Sequence, residues 1–346
     1  MPKMRKKGKG KTLQIIEYVA FCSTVAMARA LPVRALRVIS GLLGYALYAA
    51  VPRRRKIALE NIRTAFGEKM SERQIRQLAR QSCKAFLLTA VEMIKSPFRL
   101  EGAEVSRDGR YKSEHLETLF QKAKMIHGQA GGCIFVTPHL GNWELLPYVS
   151  ALIGIPLAVV IRRLDNPYLE RAILSSRIGS GNLVIPKMNA MFTLERMLQK
   201  GKSVAMLPDQ SNSRGLRIEF FGKSATVTPV PALLAVRHRR PIVVVAACRT
   251  SDPYYFEGFV SDPIWPDPRQ DERSEIVRIT SEMTLKMEEI IRRFPEQYLW
   301  MHNRWKKPDK KAFLTGCRPE SRIKDPGLNI SVEGVLDKIG RGDAPQ

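Results

Sequence analysis

The sequence has few cysteines and lacks the short motifs that mark many enzyme sites. Its five cysteines are scattered over 346 residues, and no pair has the spacing of metal ligands or of a redox-active dithiol. Such usage is typical of reduced thiols in a cytoplasmic setting. The chain also has no P-loop, no G-x-G-x-x-G loop and no G-x-S-x-G nucleophile elbow. We therefore predict no metal site and no covalent nucleophile.

Long hydrophobic runs are missing as well. The two N-terminal apolar runs, 13–28 and 35–51, are each shorter than the ~20 residues that cross hydrocarbon, and no A-x-A-like cleavage site follows the first. Basic clusters at 1–11 and 53–56 flank the pair, and such clusters are attracted to anionic lipid. This pattern predicts a membrane-associating helical hairpin. Two alternatives stay open: two core helices of a soluble domain, or one spanning helix at 13–31.

Acidic residues are scarce relative to basic ones. The chain has 33 Asp plus Glu against 57 Lys plus Arg, which gives a net charge of +24. Such a charge favours nucleic acid, an anionic membrane or an acidic protein or substrate as the partner. No helix-turn-helix, zinc-finger or RNP-like pattern accompanies it, so a membrane is favoured and no nucleic-acid partner is expected. A non-catalytic basic protein that binds a membrane surface or nucleic acid remains the alternative from another class.

Apolar strands alternate with amphipathic helices from about residue 113. This order predicts an α/β fold with a mostly parallel central sheet flanked by helices. Ligands bind beyond the C-terminal ends of the strands in such sheets, and His139, Arg162 and Asp209 each follow an apolar strand. These three side chains could therefore converge. We divide the chain into a basic arm with membrane-associating helices (1–56), a catalytic domain (57–312) and a weakly ordered tail (313–346).

The stretch CIFVTPHLGNWELLPY, residues 133–148, is the most informative one. Pro138 ends a strand, and we predict a helix from Gly141 onward, with Glu144 in its first or second turn. A carboxylate hydrogen-bonded to one imidazole nitrogen of His139 would fix its tautomer and raise the basicity of the other nitrogen. That arrangement makes a general base for a hydroxyl acceptor. The alternative is an N-capping histidine with a solvated glutamate.

Six blocks of the sequence together resemble one family. The blocks are RRRKIALENIRTAFGE (53–68), TPHLGNWE (137–144), VVIRRLDNPYLERAI (159–173), AMLPDQ (205–210), FFGKSATVTPVPALLA (220–235) and YLWMHNRWK (298–306). They are similar to the glycerolipid acyltransferase superfamily, and within it to the late acyltransferases of lipid A biosynthesis, the lauroyl and myristoyl transferases. The resemblance runs from about residue 13 to residue 308.

The resemblance implies a glycerolipid-acyltransferase-like fold and an enzyme at the cytoplasmic side of the cell inner membrane. Acyl carrier protein would supply the acyl chain as a co-substrate, and no cofactor would be needed. The acceptor would be a hydroxyl of an anionic membrane glycolipid, usually a 3-hydroxyacyl group of a lipid A precursor. A different glycolipid, a lysophospholipid or an aminolipid is the alternative acceptor.

The resemblance also implies roles for individual residues. His139 would be the general base and Glu144 its partner. Arg162 would bind phosphate or stabilise developing negative charge, whereas Asp209 and Gln210 would shape the acceptor site. The residues implied to bind substrate are Asn142, Arg162, Asn166, Asp209 and Gln210.

Overall fold

A computed structural model describes residues 10–100, 113–161, 164–178, 182–186, 190–212, 215–251 and 256–305. Within these ranges the chain forms ten α-helices and eight β-strands, a mixed α/β fold. The first nine residues of the predicted basic arm and the predicted tail at 313–346 lie outside the described residues.

The first four helices lie within residues 11–100. The first two cover the apolar runs for which we predicted a membrane-associating hairpin. The fourth begins with a capping box, the S-x-x-Q pattern of SERQ at 71–74: Ser71 N donates to Gln74 Oε1 (2.8 Å) and Gln74 N donates to Ser71 Oγ (3.4 Å). The expected domain division at 56/57 falls inside the third helix. These helices are α1 (Lys11–Ala30), α2 (Val33–Ala50), α3 (Pro52–Phe66) and α4 (Glu72–Leu100).

The apolar N-terminal helices do not meet the length and hydropathy of a membrane span. Among the described residues, no single helix is long and apolar enough to cross a membrane. Arg34–Ala50 and Pro52–Phe66 reach that threshold only as a pair, and the chain bends by 95° between them. Gly44 lets α2 lie close to α4, since a Cβ there would be 2.6 Å from Lys84 Cα.

The rest of the chain follows the predicted alternation of strands and helices. The strands are β1 (Ile134–Val136), β2 (Ala158–Ile161), β3 (Leu183–Pro186), β4 (Val204–Met206), β5 (Leu216–Phe220), β6 (Lys223–Val227), β7 (Ile242–Arg249) and β8 (Phe256–Val260). The helices are α5 (Ser113–Ala130), α6 (Leu146–Leu152), α7 (Pro167–Ile178), α8 (Ala190–Gln199), α9 (Val230–His238) and α10 (Glu272–Arg293).

The central sheet is mostly parallel, as predicted. Its six strands have the order β3-β2-β4-β1-β7-β8, and only β8 is antiparallel to its neighbour. In the parallel pair β1 and β4, Val136 lies opposite Met206. His139 and Asp209 each come three residues after these partners, so the register brings them to the same edge of the sheet.

Both faces of the sheet are buried. Successive residues of β1 point to opposite sides: Ile134 and Val136 belong to one apolar core and Phe135 to the other. The first core also contains residues of α3, α4, α9 and α10, and the second contains residues of α5 and α6. This double burial explains why the strands are apolar throughout.

Candidate active site

His139 and Asp209 form the centre of the site. Asp209 Oδ1 lies 2.6 Å from His139 Nδ1, and Asp209 Oδ2 accepts the backbone N–H of His139 at 2.8 Å. The side chain of Asp209 is 4% exposed and that of His139 is 15% exposed. Asp209 therefore fixes both the backbone and the ring of His139, with the Nδ1 proton directed at the carboxylate.

The two groups shift each other's protonation. Burial lowers the pKa of His139, but the charge and hydrogen bond of Asp209, with the charge of Glu144, outweigh burial and raise it above its usual value. Burial raises the pKa of Asp209, and its interactions with His139 and the charge of Arg304 bring it below its usual value. An ionised aspartate beside a more basic imidazole suits a general base.

The second imidazole nitrogen faces Gln210. Gln210 Nε2 lies 3.1 Å from His139 Nε2, so a neutral ring with its proton on Nδ1 accepts a hydrogen bond there. The sequence interpretation gave Glu144 the hydrogen bond to His139. In the structure Asp209 makes the Nδ1 contact, and Glu144 acts on His139 through its charge. Asp209, which the resemblance assigned to the acceptor site, makes two hydrogen bonds with His139.

The turn that carries His139 depends on a glycine. Gly141 has φ +61°, and a Cβ there would lie 2.1 Å from the carbonyl oxygen of Ala247 in β7. Asn142 N donates to the same carbonyl at 2.8 Å. Only glycine allows this approach without strain, so the turn is fixed against the end of β7.

The helix after this turn begins later than predicted. We expected it from Gly141, but α6 starts at Leu146. The positive φ of Gly141 breaks the helical path, and Asn142 then accepts the N–H of Leu145 through Oδ1 (3.0 Å). Glu144 consequently lies in the turn before the helix.

The two predicted substrate-binding asparagines are buried and have structural partners. Asn142 Nδ2 donates to Glu92 Oε2 at 2.9 Å. Asn166 Oδ1 accepts the backbone N–H of Tyr168 at 3.0 Å, as an N-cap of α7 does, and its Nδ2 donates to Gln14 O at 2.8 Å. Both side-chain amides point into the protein, where they make hydrogen bonds with backbone groups and a carboxylate. Arg162 lies outside the described residues.

The segment after α10 contacts both strand-end turns of the site, the one at His139 and the one at Ser211. Leu299 N donates to His139 O (3.0 Å), and Ser211 N donates to His302 Nε2 (3.3 Å). Burial lowers the pKa of His302, and the nearby charges of His139 and Arg304 act in the same direction. The described part of this segment, 298–305, belongs to the block at 298–306 that carries the family resemblance.

The basic cluster at 237–240 forms the C-terminal end of α9. Arg237 pairs with Glu195 (3.5 Å) and Glu272 (3.6 Å). Arg239 adopts the left-handed cap conformation, and Arg240 Nη1 donates to Ala130 O. These contacts tie the cluster to the end of the helix and to neighbouring carboxylates and carbonyls.

Sequence analysis missed a buried polar group below the turn. Glu92 of α4 and Arg249 at the end of β7 form an ion pair at 2.7 Å, and both side chains are under a tenth exposed. The only sign in the sequence is a charge inside each of two apolar runs, AVEMI and VVVAACR. Fully buried charges of this kind are almost always paired.

An apolar cavity of about 50 Å³ lies beside the site. Thr137 and Leu207, each two residues before His139 and Asp209, line one part of it, and Leu157, which precedes β2, lines another. Trp143 also lines the cavity, and its ring lies 5.3 Å from the His139 ring between centroids. Thr137 follows the C-terminal end of β1, and Leu157 precedes the N-terminal end of β2. The cavity therefore runs from the C-terminal ends of the strands, where His139 lies, toward their N-terminal ends.

Within the described residues, no group of three or more His, Cys, Asp or Glu side chains could hold a metal ion. No curated protein matches this sequence. A family model described as bacterial lipid A biosynthesis acyltransferase matches residues 5–307, well over half of the chain. The chain therefore belongs to the bacterial lipid A biosynthesis acyltransferase family, and the protein is an acyltransferase.

Proposed function

We propose that the protein transfers a fatty acyl chain from acyl carrier protein to a hydroxyl of a membrane glycolipid, a lipid A precursor. The observation that carries this proposal is the His139–Asp209 pair (2.6 Å) beside an apolar cavity. A base and a site for an acyl chain are the two things that this reaction requires. Family membership supports the choice of acceptor.

In the proposed mechanism, His139 Nε2 is the general base. The acceptor hydroxyl takes the place of the Gln210 amide near Nε2 and gives its proton to that nitrogen as its oxygen attacks the thioester carbonyl carbon. The tetrahedral intermediate then collapses, the C–S bond breaks, and the leaving sulfur takes the proton from Nε2. Asp209 stabilises the imidazolium that exists between the two proton transfers.

Direct transfer is favoured over an intermediate bound to Cys83, Cys133 or Cys248. Burial raises the pKa of Cys83 to about 11 and the pKa values of Cys133 and Cys248 to about 12. These thiols stay protonated near neutral pH and are poor nucleophiles. We keep Arg162 as the group that binds phosphate or stabilises the oxyanion, and Glu144 as a charge that strengthens the base.

We assign the apolar cavity to the acyl chain. Its lining near the base, Thr137 and Trp143, would hold the carboxyl end of the chain, and Ile155 and Leu157 would contact the methyl end. Each methylene transferred from water into such a site contributes about 0.8 kcal/mol. Side chains at the far end therefore select the length of the chain.

Replacing Ile155 by alanine should shift the preference toward longer chains. The deleted carbons make room for about two methylenes, worth about 1.6 kcal/mol, so the kcat/KM ratio of longer to shorter acyl donor should rise roughly tenfold. Rates with donors that differ by two carbons, measured on one preparation, give this ratio. A smaller amount of folded enzyme lowers both rates equally, so it does not change the ratio. An unchanged ratio would show that Ile155 does not line the binding site of the acyl chain.

The N-terminal helices carry the proposed membrane surface. On α1, Gln14 and Glu17 contact Asn166 of the protein interior, while apolar side chains point outward. This is the reverse of a helix that packs by its apolar face, and it suits insertion into a lipid interface. The exposed apolar side chains are Leu13, Ile15, Ile16, Val19 and Met27 on α1 and Val38, Leu42, Leu43 and Tyr45 on α2.

Replacing both Val38 and Leu42 by glutamate should weaken vesicle binding on the order of 100-fold. These side chains are 64% and 68% exposed, so folding should be unaffected. Withdrawing two apolar side chains from lipid costs about 3 kcal/mol in total, before charge repulsion is counted. Sedimentation with anionic vesicles measures the effect. The control is Val277→Glu with Leu285→Glu on α10, which should bind like the wild type; equal losses in both would refute this surface.

The charge of the chain fits the proposed partners. Acyl carrier protein is acidic and phosphorylated glycolipids are anionic, and a net charge of +24 attracts both. We therefore propose that the enzyme acts at the cytoplasmic side of the inner membrane.

Mass spectrometry of the glycolipids from cells that lack the protein tests the proposal. Lipid A that is lighter by one acyl group, and that regains it when the wild-type protein is supplied, would support the acceptor and reveal the chain length. The purified enzyme should use acyl carrier protein thioesters as donors. An unchanged lipid A together with a change in another lipid would replace the acceptor in this proposal.

A further inference from the structure

A buried ion pair lies directly below the turn that carries His139. Arg249 Nη2 contacts Glu92 Oε2 at 2.7 Å, and Arg249 Nε lies 3.0 Å from the same oxygen and 3.1 Å from Oε1. Glu92 belongs to α4 and Arg249 to the end of β7, so the pair joins a helix to the central sheet.

Two side chains connect this ion pair to the turn. Arg249 Nη2 donates to Thr89 Oγ1 (2.6 Å). The hydroxyl proton of Thr89 has two carbonyl acceptors within reach, Gly141 O at 2.8 Å and Ala85 O, in its own helix, at 3.0 Å. Asn142 Nδ2 donates to Glu92 Oε2 (2.9 Å). Gly141 and Asn142 are the second and third residues after His139, so both connections end close to the proposed base.

The backbone of Arg249 is also fixed by hydrogen bonds, in this case to Gln297. Gln297 makes two hydrogen bonds with it, accepting from Arg249 N (2.8 Å) and donating to Arg249 O (2.9 Å). The carbonyl of Gln297 accepts the N–H of Gly141 at 3.2 Å. The turn therefore has fixed contacts with α4, with β7 and with the segment after α10.

Stability alone does not account for a buried ion pair. Removing two charges from water offsets much of their attraction, and apolar side chains of similar volume often stabilise a core as well or better. A hydrogen-bonded polar network does fix one geometry. Here hydrogen bonds join Arg249 to Glu92 and Thr89, and Asn142 to Glu92, while Arg249 Nη1 has no hydrogen-bond partner among the described residues. The part of the turn that most needs one geometry is His139, whose Nδ1 must stay at hydrogen-bond distance from Asp209.

We propose that Arg249 and Glu92, through Thr89 and Asn142, are positioning residues that hold the His139 turn in its reactive geometry. This inference rests on the proposed role of His139 as the base. None of the four side chains is the reacting group. A misplacement of about 1 Å in a catalytic group can lower a rate by about 10²-fold, so loosening the network should act on turnover more than on substrate binding.

Thr89→Val tests the connection most directly. Valine keeps the shape of threonine but cannot pass a hydrogen bond from Arg249 to Gly141, and we expect kcat to fall about 10-fold with KM for the acyl donor unchanged. Thr89→Ser restores the hydroxyl and should retain most of the rate. Glu92→Gln, which removes the charge, should lower kcat about 100-fold.

The control for Glu92→Gln is Glu275→Gln. Glu275 has a side chain that is 1% exposed and pairs with Arg278 at 2.6 Å, away from the His139 turn. Loss of the Glu275 charge should lower the melting temperature but leave kcat per folded molecule unchanged. If Glu92→Gln does not fold, Thr89→Val and Thr89→Ser decide the question.

A combined variant separates positioning from a purely structural role. Thr89→Val added to His139→Ala should not lower the residual rate further, because the network acts through His139. Wild-type turnover in Thr89→Val, no recovery in Thr89→Ser, or the same fractional loss in the His139→Ala background would overturn the inference while the proposed function stands. Wild-type turnover in His139→Ala would overturn the proposed function, and this inference with it.

Discussion

Replacing His139 by alanine should lower the rate of acyl transfer by a factor of roughly 10²–10⁴, the usual contribution of a general base. Alanine removes Nε2, the only atom placed to take the proton of the acceptor hydroxyl in the proposed mechanism. Attack on the thioester would then depend on water as the base. Transfer from a labelled acyl donor to the glycolipid, at saturating donor, measures the loss.

The same preparation shows whether the variant is folded. The proposed membrane surface on α1 and α2 is remote in sequence from His139, so vesicle binding should survive the substitution. His127→Gln is the matched control: His127 is a half-buried histidine whose Nδ1 contacts Ser203 Oγ at 2.8 Å. It should retain most of the activity. A His139→Ala enzyme that is folded and transfers at more than about a tenth of the normal rate would contradict the assigned base.

Asp209→Asn should be nearly as damaging, by roughly 10³-fold, because it selects the wrong tautomer. The amide oxygen would accept the backbone N–H of His139, which Oδ2 accepts at 2.8 Å in the native protein. The amide NH₂ then faces Nδ1, and the ring must carry its proton on Nε2. A ring protonated at Nε2 cannot accept the proton of the acceptor hydroxyl.

The pH profile of Asp209→Asn should change in a defined direction. The charge of Asp209 raises the pKa of His139 against the effect of burial. Removing the charge lowers the pKa of His139, so the base loses its proton at a lower pH. On the acid side of the profile, the residual activity should therefore rise at a lower pH than that of the wild type. The kcat/KM profile of the free enzyme reports this limb.

Glu144→Gln is the comparison that decides which carboxylate is the partner of His139. Glu144 also raises the pKa of His139, so its loss should move the acid limb in the same direction. The rate should fall much less, because Asp209 still holds Nδ1. If Glu144→Gln costs more activity than Asp209→Asn, the partner is Glu144 and the assignment made from the geometry is wrong.

Much of the fold could be predicted from sequence because its signals are local. Apolar strands such as VVVA at 243–246, alternating with amphipathic helices, indicate a parallel sheet buried on both faces, and the structure confirms it. The capping box at Ser71 and Gln74 marks the start of α4. The start of α6 was predicted five residues too early, because the left-handed Gly141 depends on the carbonyl of Ala247, which is distant in sequence.

The sequence by itself determined the fold class, the family and the identity of His139 as the candidate base, since each rests on residue types and spacings within short stretches. Only the tertiary structure showed which carboxylate contacts Nδ1 of that histidine. Asp209 is 70 residues away from His139 and reaches it through the register of β1 and β4, whereas Glu144 was predicted from its place in the same short motif. The burial of Asn142 and Asn166 and the pairing of Glu92 with Arg249 were decided in the same way. Hydrogen bonds between distant elements depend on how the elements pack, and no local pattern in the chain encodes that.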